Sequence, residues 1–209
     1  MAAAQGKAAD FLQEMGAGLG YLWNGNRMLF FMLCNFALVN FALTPLGPLL
    51  PFIAQQRMGL DAAGAGLLTS GLSAGMVAAA LLMSAGGARL HRGMGVIWGI
   101  AVTGAGLAVA SQMRDLVSAL IALVLAGAAV SMVNVCASGL FQTLVPKQMQ
   151  GRVFAVRGSI ALAASPISLG LVGVLSTAVA PHIILLAGGV LVAAGGLLGY
   201  VVPGLKLAR

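Results

Sequence analysis

The stretch LVSALIALVLAGAAVSMVNVCASGLFQTL, residues 116–144, contains no acidic or basic side chain. A helix needs about 20 apolar residues to cross a bilayer, so this run reads as a membrane span. Working outward from it, five more stretches of the same kind are found, over about 28–54, 62–88, 94–111, 159–180 and 182–202. A charge at mid-membrane costs at least about 2.5–3.5 kcal/mol on insertion scales, and no Asp, Glu, Lys or Arg falls in the central part of any of the six. The sequence therefore predicts an all-α, polytopic membrane protein: a lead-in over 1–27, a six-helix bundle over 28–203 and a short tail over 204–209.

Composition agrees. The chain is 60% hydrophobic and only 7% charged, whereas about a quarter of residues in a soluble domain are charged. The formal charge of +7 does not point to nucleic acid, because the basic residues are scattered over short loops rather than gathered in a patch. Lys7, Arg27, Arg89, Arg92, Lys147, Arg152, Arg157, Lys206 and Arg209 fall on one side of the drawn spans. Arg57 and Arg114 fall on the other, near Asp61 and Asp115. By the positive-inside rule both termini are expected in the cytoplasm of a multi-pass bacterial inner (plasma) membrane protein. The basic residues then serve as orientation signals and contacts to anionic lipid head groups.

Other features refine this picture. Pro45, Pro48 and Pro51 break the first span toward its far end, which suits a gate or a kinked structural helix. Phe11, Met15, Leu19 and Leu22 recur at helical spacing opposite Asp10, Gln13 and Glu14, so 10–27 reads as an interfacial amphipathic helix. Gly16, Gly18 and Gly20 leave a flexible leader as the alternative. Ridges of small residues at Gly71, Gly75 and Ala79, at Gly95 and Gly99, and at Gly195 and Gly199 predict close helix packing in lipid. Cys34 and Cys136, both in apolar runs without metal or redox spacing, read as buried structural thiols. His182 is expected to cap the last span and His91 to lie among head groups.

One span carries a polar stripe. Gly127, Ser131, Asn134, Ser138 and Gln142 recur every three to four residues, and Asn40 and Thr44 share a face of the first span. Such side chains facing lipid would be unsatisfied, so they meet a partner helix or a water-filled cavity. Both readings stay open: interhelical hydrogen bonding, or the wall of a substrate pathway formed by Asn40, Thr44, Ser131, Asn134, Ser138 and Gln142.

Enzymatic signatures are not expected to operate. Gly71-Leu72-Ser73-Ala74-Gly75 fits the G-x-S-x-G pattern, but a nucleophile elbow needs a strand-turn-helix setting and a triad. No P-loop and no metal-ligand spacing is present in the chain, so neither an enzyme nor a bound cofactor is expected.

Two groups of residues carry a family likeness. One is Phe141-Gln142-Thr143-Leu144-Val145-Pro146 with Gly151-Arg152-Val153-Phe154-Ala155 and Ser165-Pro166-Ile167; the other is Tyr21-Leu22-Trp23, Asn26-Arg27 and Pro48-Leu49-Leu50-Pro51. Together they resemble the C-terminal six-helix half of major facilitator superfamily transporters, and look closest to the bacterial exporters that include macrolide and siderophore efflux proteins. In 86–93, Arg89, Arg92 and Gly93 fit the degenerate second copy of that superfamily's cytoplasmic loop motif, without its acid. The resemblance implies two inverted three-helix repeats, a substrate site at mid-membrane between two halves, and efflux of a small amphiphilic compound. It also implies a partner, either an N-terminal six-helix half or a second copy, because such transporters have about twelve helices. On this reading Met1 is an alternative start, the end of a split gene or the edge of a truncated frame. A non-transporting accessory membrane protein is the other expectation.

Overall fold

The computed structural model describes residues 16, 20, 27–86 and 91–207. The expected lead-in helix over 1–27 lies outside them except at Gly16, Gly20 and Arg27, and Lys7, Arg89 and Arg209 lie outside them too. The described residues form α1 (Arg27–Leu43), α2 (Leu46–Met58), α3 (Ala62–Gly86), α4 (Arg92–Gln112), α5 (Leu116–Leu144), α6 (Lys147–Leu175), α7 (Pro181–Leu198) and a closing 3₁₀ turn, Leu205–Leu207, with no strand among them. Five helices are long and apolar enough to cross a membrane, or six if α1 and α2 form one span bent by 41°. That content fits a multi-pass membrane protein.

The break in the first span falls at Thr44-Pro45, at the first residue of the proline cluster. Pro45 has no N–H to continue α1 and sits at the cap of α2, where a proline costs little. Pro51 lies inside α2 without ending it. Gly59, at φ 65°, terminates α2, and the Leu60 N–H returns to the Ala54 carbonyl at 3.1 Å. At this end of the bundle the acids cap helices. Asp61 accepts from the Gly64 N–H at 3.0 Å, and Asp115 from the Ser118 N–H at 2.8 Å and from the Ser118 hydroxyl. Arg57 binds the last turn of α4 instead, donating to the Ser111 carbonyl at 3.1 Å and the Gln112 side chain at 3.4 Å.

Two boundaries differ from the sequence reading. Helix α6 begins at Lys147 rather than near 159, and ends at Leu175 rather than 180. Apolarity marks where lipid begins, whereas a helix begins where its hydrogen bonds do. Val153 and Val156 are buried and Ile160 packs on the same core, so the helical stripe extends back through the basic segment. Helix α7 starts on Pro181 after an Ala180 cap with no side-chain bond, so His182 does not cap it. Cys136 is buried as expected, but Cys34 is exposed on α1.

Packing is unequal around the bundle. Helix α5 lies between α3 and α4, α4 packs on α7, α1 reaches α6 and α7, and α2 touches α3 and α7. Small residues bring α3 and α5 together: a side chain on Gly75 would overlap the Val124 backbone, and one on Gly127 the Leu72 backbone. Gly189 and Gly104 do the same for α7 and α4.

Candidate functional site

A cavity of about 360 Å³ opens where α1 and α6 stand away from the closely packed pair α4 and α5. Its wall is mostly apolar, with Phe36, Phe141 and Phe154 supplying ring faces and edges, and three polar side chains enter it: Asn40, Asn134 and Arg157. Size and lining match small-molecule sites, which are largely apolar with a few placed polar groups.

Arg157 organises the site. It lies ten residues into α6, about 15 Å along the axis at 1.5 Å per residue. Asn134 lies ten residues before the end of α5, so the two side chains stand at one level. The guanidinium donates through Nη1 to the Ser138 hydroxyl and through Nη2 to Asn134 Oδ1, both at 3.1 Å. Its Cζ stands 4.1 Å from the Phe36 ring centroid and 5.9 Å from that of Phe141, within cation–π range. The acids among the described residues, Asp61 and Asp115, cap α3 and α5 at the far end of the bundle. No carboxylate among the described residues meets this cation.

The other polar residues divide between cavity and scaffold. Asn40 lines the cavity, but its Nδ2 is held by the Phe36 carbonyl at 2.8 Å. Thr44 donates to the Asn40 carbonyl at 2.7 Å and lies 3.4 Å from the Ser165 hydroxyl, tying α1 to α6. Ser131 is buried away from the cavity lining. Gln142 is exposed, and its main-chain carbonyl accepts from Gln150 at 2.9 Å. Gly127 of the stripe faces α3 rather than the cavity. The structure thus gathers Asn40, Asn134 and Ser138 around Arg157 and leaves Ser131 and Gln142 elsewhere.

The loop residues sit beside this group. Arg92 donates to the Gly139 carbonyl at 3.4 Å, crossing α5 one turn below Cys136, and Gly93 is buried. Gly151 and Arg152 are exposed, Arg152 reaching only the Met149 sulfur at 3.9 Å. Arg89 lies outside the described residues. Gln150 has a structural task that pattern reading did not assign: it binds the Gln142 and Val145 carbonyls and so caps α5 as the chain turns into α6.

Charge pattern groups Arg157 with the loop cations, whereas the structure places it in the site. The signal that could have found it is the helical recurrence of Val153, Val156 and Ile160, which places residue 157 on the inward flank of a continuing helix. No protein-family model matches the chain, and no curated protein matches it.

Proposed function

We propose that this chain is a membrane transport unit of the major facilitator type, equivalent to the C-terminal six-helix half. On this reading it lies in a bacterial inner membrane with both termini cytoplasmic and exports a small amphiphilic compound by alternating access. The energy comes from an ion gradient, and the coupling acid from an N-terminal six-helix half or a second copy. The observation that carries the reading is the cavity: polar at one spot, aromatic elsewhere, and bounded by a broken helix and by α6, one of the least embedded helices.

Two further features support it. If α1–α2 corresponds to α5, α3 to α6 and α4 to α7, every major packing pair has its counterpart: α3 with α5 matches α6 with α1, α4 with α5 matches α7 with α1, and α4 with α7 matches itself. That is the pattern expected of two inverted three-helix repeats. The basic end of the bundle also carries Trp98 against Tyr200, with ring centroids 6.1 Å apart, and Lys206 at 5.0 Å from the Tyr200 ring. Such an aromatic and basic girdle fits the cytoplasmic interface.

The test is copurification from native membranes followed by reconstitution into vesicles. Recovery of a second six-span chain or a second copy, with gradient-driven export of an amphiphile, is the expected outcome. A monomer with no partner and no flux sinks the reading and leaves an accessory membrane protein.

A further inference from the structure

The geometry points to an anion site: the cavity takes the carboxylate, sulfonate or phosphate head of an aromatic amphiphile on Arg157, with the apolar body of the ligand against Phe36, Phe141 and Phe154. This deepens the transport reading above and rests on it for the word substrate, but the binding itself is a separate claim.

Three observations carry it. First, arginine has five N–H donors, and Arg157 spends two of them on Asn134 and Ser138; the other three find no partner among the described residues. The two bonds it makes are to neutral oxygens, so they orient the guanidinium without neutralising it. Second, the cation could snorkel toward the basic end, yet it is turned inward across the bundle and its face is stacked on Phe36 at 4.1 Å. Holding a charge there is costly in a low-dielectric surrounding unless something of opposite sign joins it. Third, the space beside it is real: about 360 Å³, with Arg157 as the one charged residue in its lining among the described residues. A volume of that size suits a one- or two-ring compound rather than an inorganic ion alone.

The arrangement also rejects other ligands. A cationic amphiphile would meet Arg157 with no acid among the described residues to offset the repulsion. A neutral one would leave the free N–H groups unpaired while displacing whatever solvent serves them. Asn40, on the facing wall, spends one amide N–H on the Phe36 carbonyl at 2.8 Å and carries no charge, so selection by charge falls to Arg157.

The experiment is equilibrium dialysis of the full chain, purified in a neutral detergent, against 1-naphthoate and its uncharged counterpart 1-naphthamide. We expect 1-naphthoate to bind at least tenfold more tightly. Arg157→Gln should erase that preference by weakening naphthoate alone, and Arg157→Lys should keep part of it. Because Arg157→Gln could misassemble, Asn40→Asp serves as a second variant. It leaves the arginine in place and supplies a competing carboxylate, so naphthoate should again weaken about tenfold. Equal affinity for the two probes, binding of neither, or a preference that survives both Arg157→Gln and Asn40→Asp overturns the inference. If the counter-charge is instead a carboxylate of a partner chain, naphthoate will bind only after that chain is removed, and that result also overturns it. Failure of export leaves the dialysis result untouched.

Discussion

The seam between α3 and α5 and the seam between α1 and α6 are closed by different means. In the first, Gly71 lies under Leu120, Gly75 meets the Val124 backbone and Gly127 the Leu72 backbone, so the two main chains nearly touch. In the second, a Cβ added to Gly158 of α6 would meet nothing within 4 Å, Gly170 and Gly173 lie on the exposed face of α6, and polar bonds hold the helices instead. Ser168 donates to the Phe41 carbonyl at 2.6 Å, and Thr44 lies by Ser165. The buried share of the apolar window is 17% in α3 and 50% in α5 of the first seam, and 11% in α6 of the second. Lipid offers no hydrophobic drive between helices, so closeness depends on where small residues face a partner. At Gly158, which faces no partner, a gap remains, and the cavity occupies it.

The sharpest way to break this comparison is to put bulk into each seam. Gly127→Leu should cost about 3 kcal/mol or more, because the Leu72 backbone cannot give way. Gly158→Leu, beside the cavity at the second seam, should be close to neutral. Denaturant titration of the chain in mixed micelles, followed by helicity, measures both, and equal costs would show that the two seams are not different.

Next in size is Asn134→Leu. Losing the oxygen that receives Arg157 Nη2 should destabilise by about 1.5 kcal/mol, since hydrogen bonds to charged groups are worth about 1.5–3. It should also abolish export while membrane insertion is unchanged, as read by vesicle flux and membrane fractionation. Unchanged export would remove Asn134 from the pathway.

Ser168→Ala probes the polar latch of the looser seam. Side-chain hydrogen bonds between membrane helices average about 0.6 kcal/mol, so a loss of that order is expected in the same titration. A cost as large as that of Gly127→Leu would mean that α6 is held far more firmly than its packing indicates.

The smallest effect concerns the cap of α5. The Ser118 hydroxyl, and then the Ser118 N–H, hold the Asp115 carboxyl below the usual carboxylate range. A carboxyl lowered by folding stabilises the fold above its unfolded value of about 3.9 and loses that contribution as pH falls through the folded value. Stability should therefore slope downward as pH drops below about 4, and Asp115→Asn should flatten the part of the slope due to this cap. An unchanged slope would rule out Asp115 as its source.

Particular residues show what could be read from the chain beforehand. The helical content, the apolar spans and the inward stripe on α5 follow from hydropathy and spacing, because lipid imposes strong and local demands on each segment. Within the stripe, periodicity could not separate Gly127 from Asn134: both lie near one helical face, yet one meets α3 and the other α6. The start of α6 was hidden because Lys147, Arg152 and Arg157 make 147–158 look like a loop, although its hydrogen bonds and buried valines make it helix.

The sequence by itself determined that this chain must form apolar helices and where its charges must avoid lipid, since both are properties of single segments in their solvent. Only the tertiary structure decided that Arg157 turns into the bundle, that Asn134 and Ser138 receive it, and that a cavity lies beside them. Those outcomes depend on how closely pairs of helices approach, which is a property of two surfaces at once.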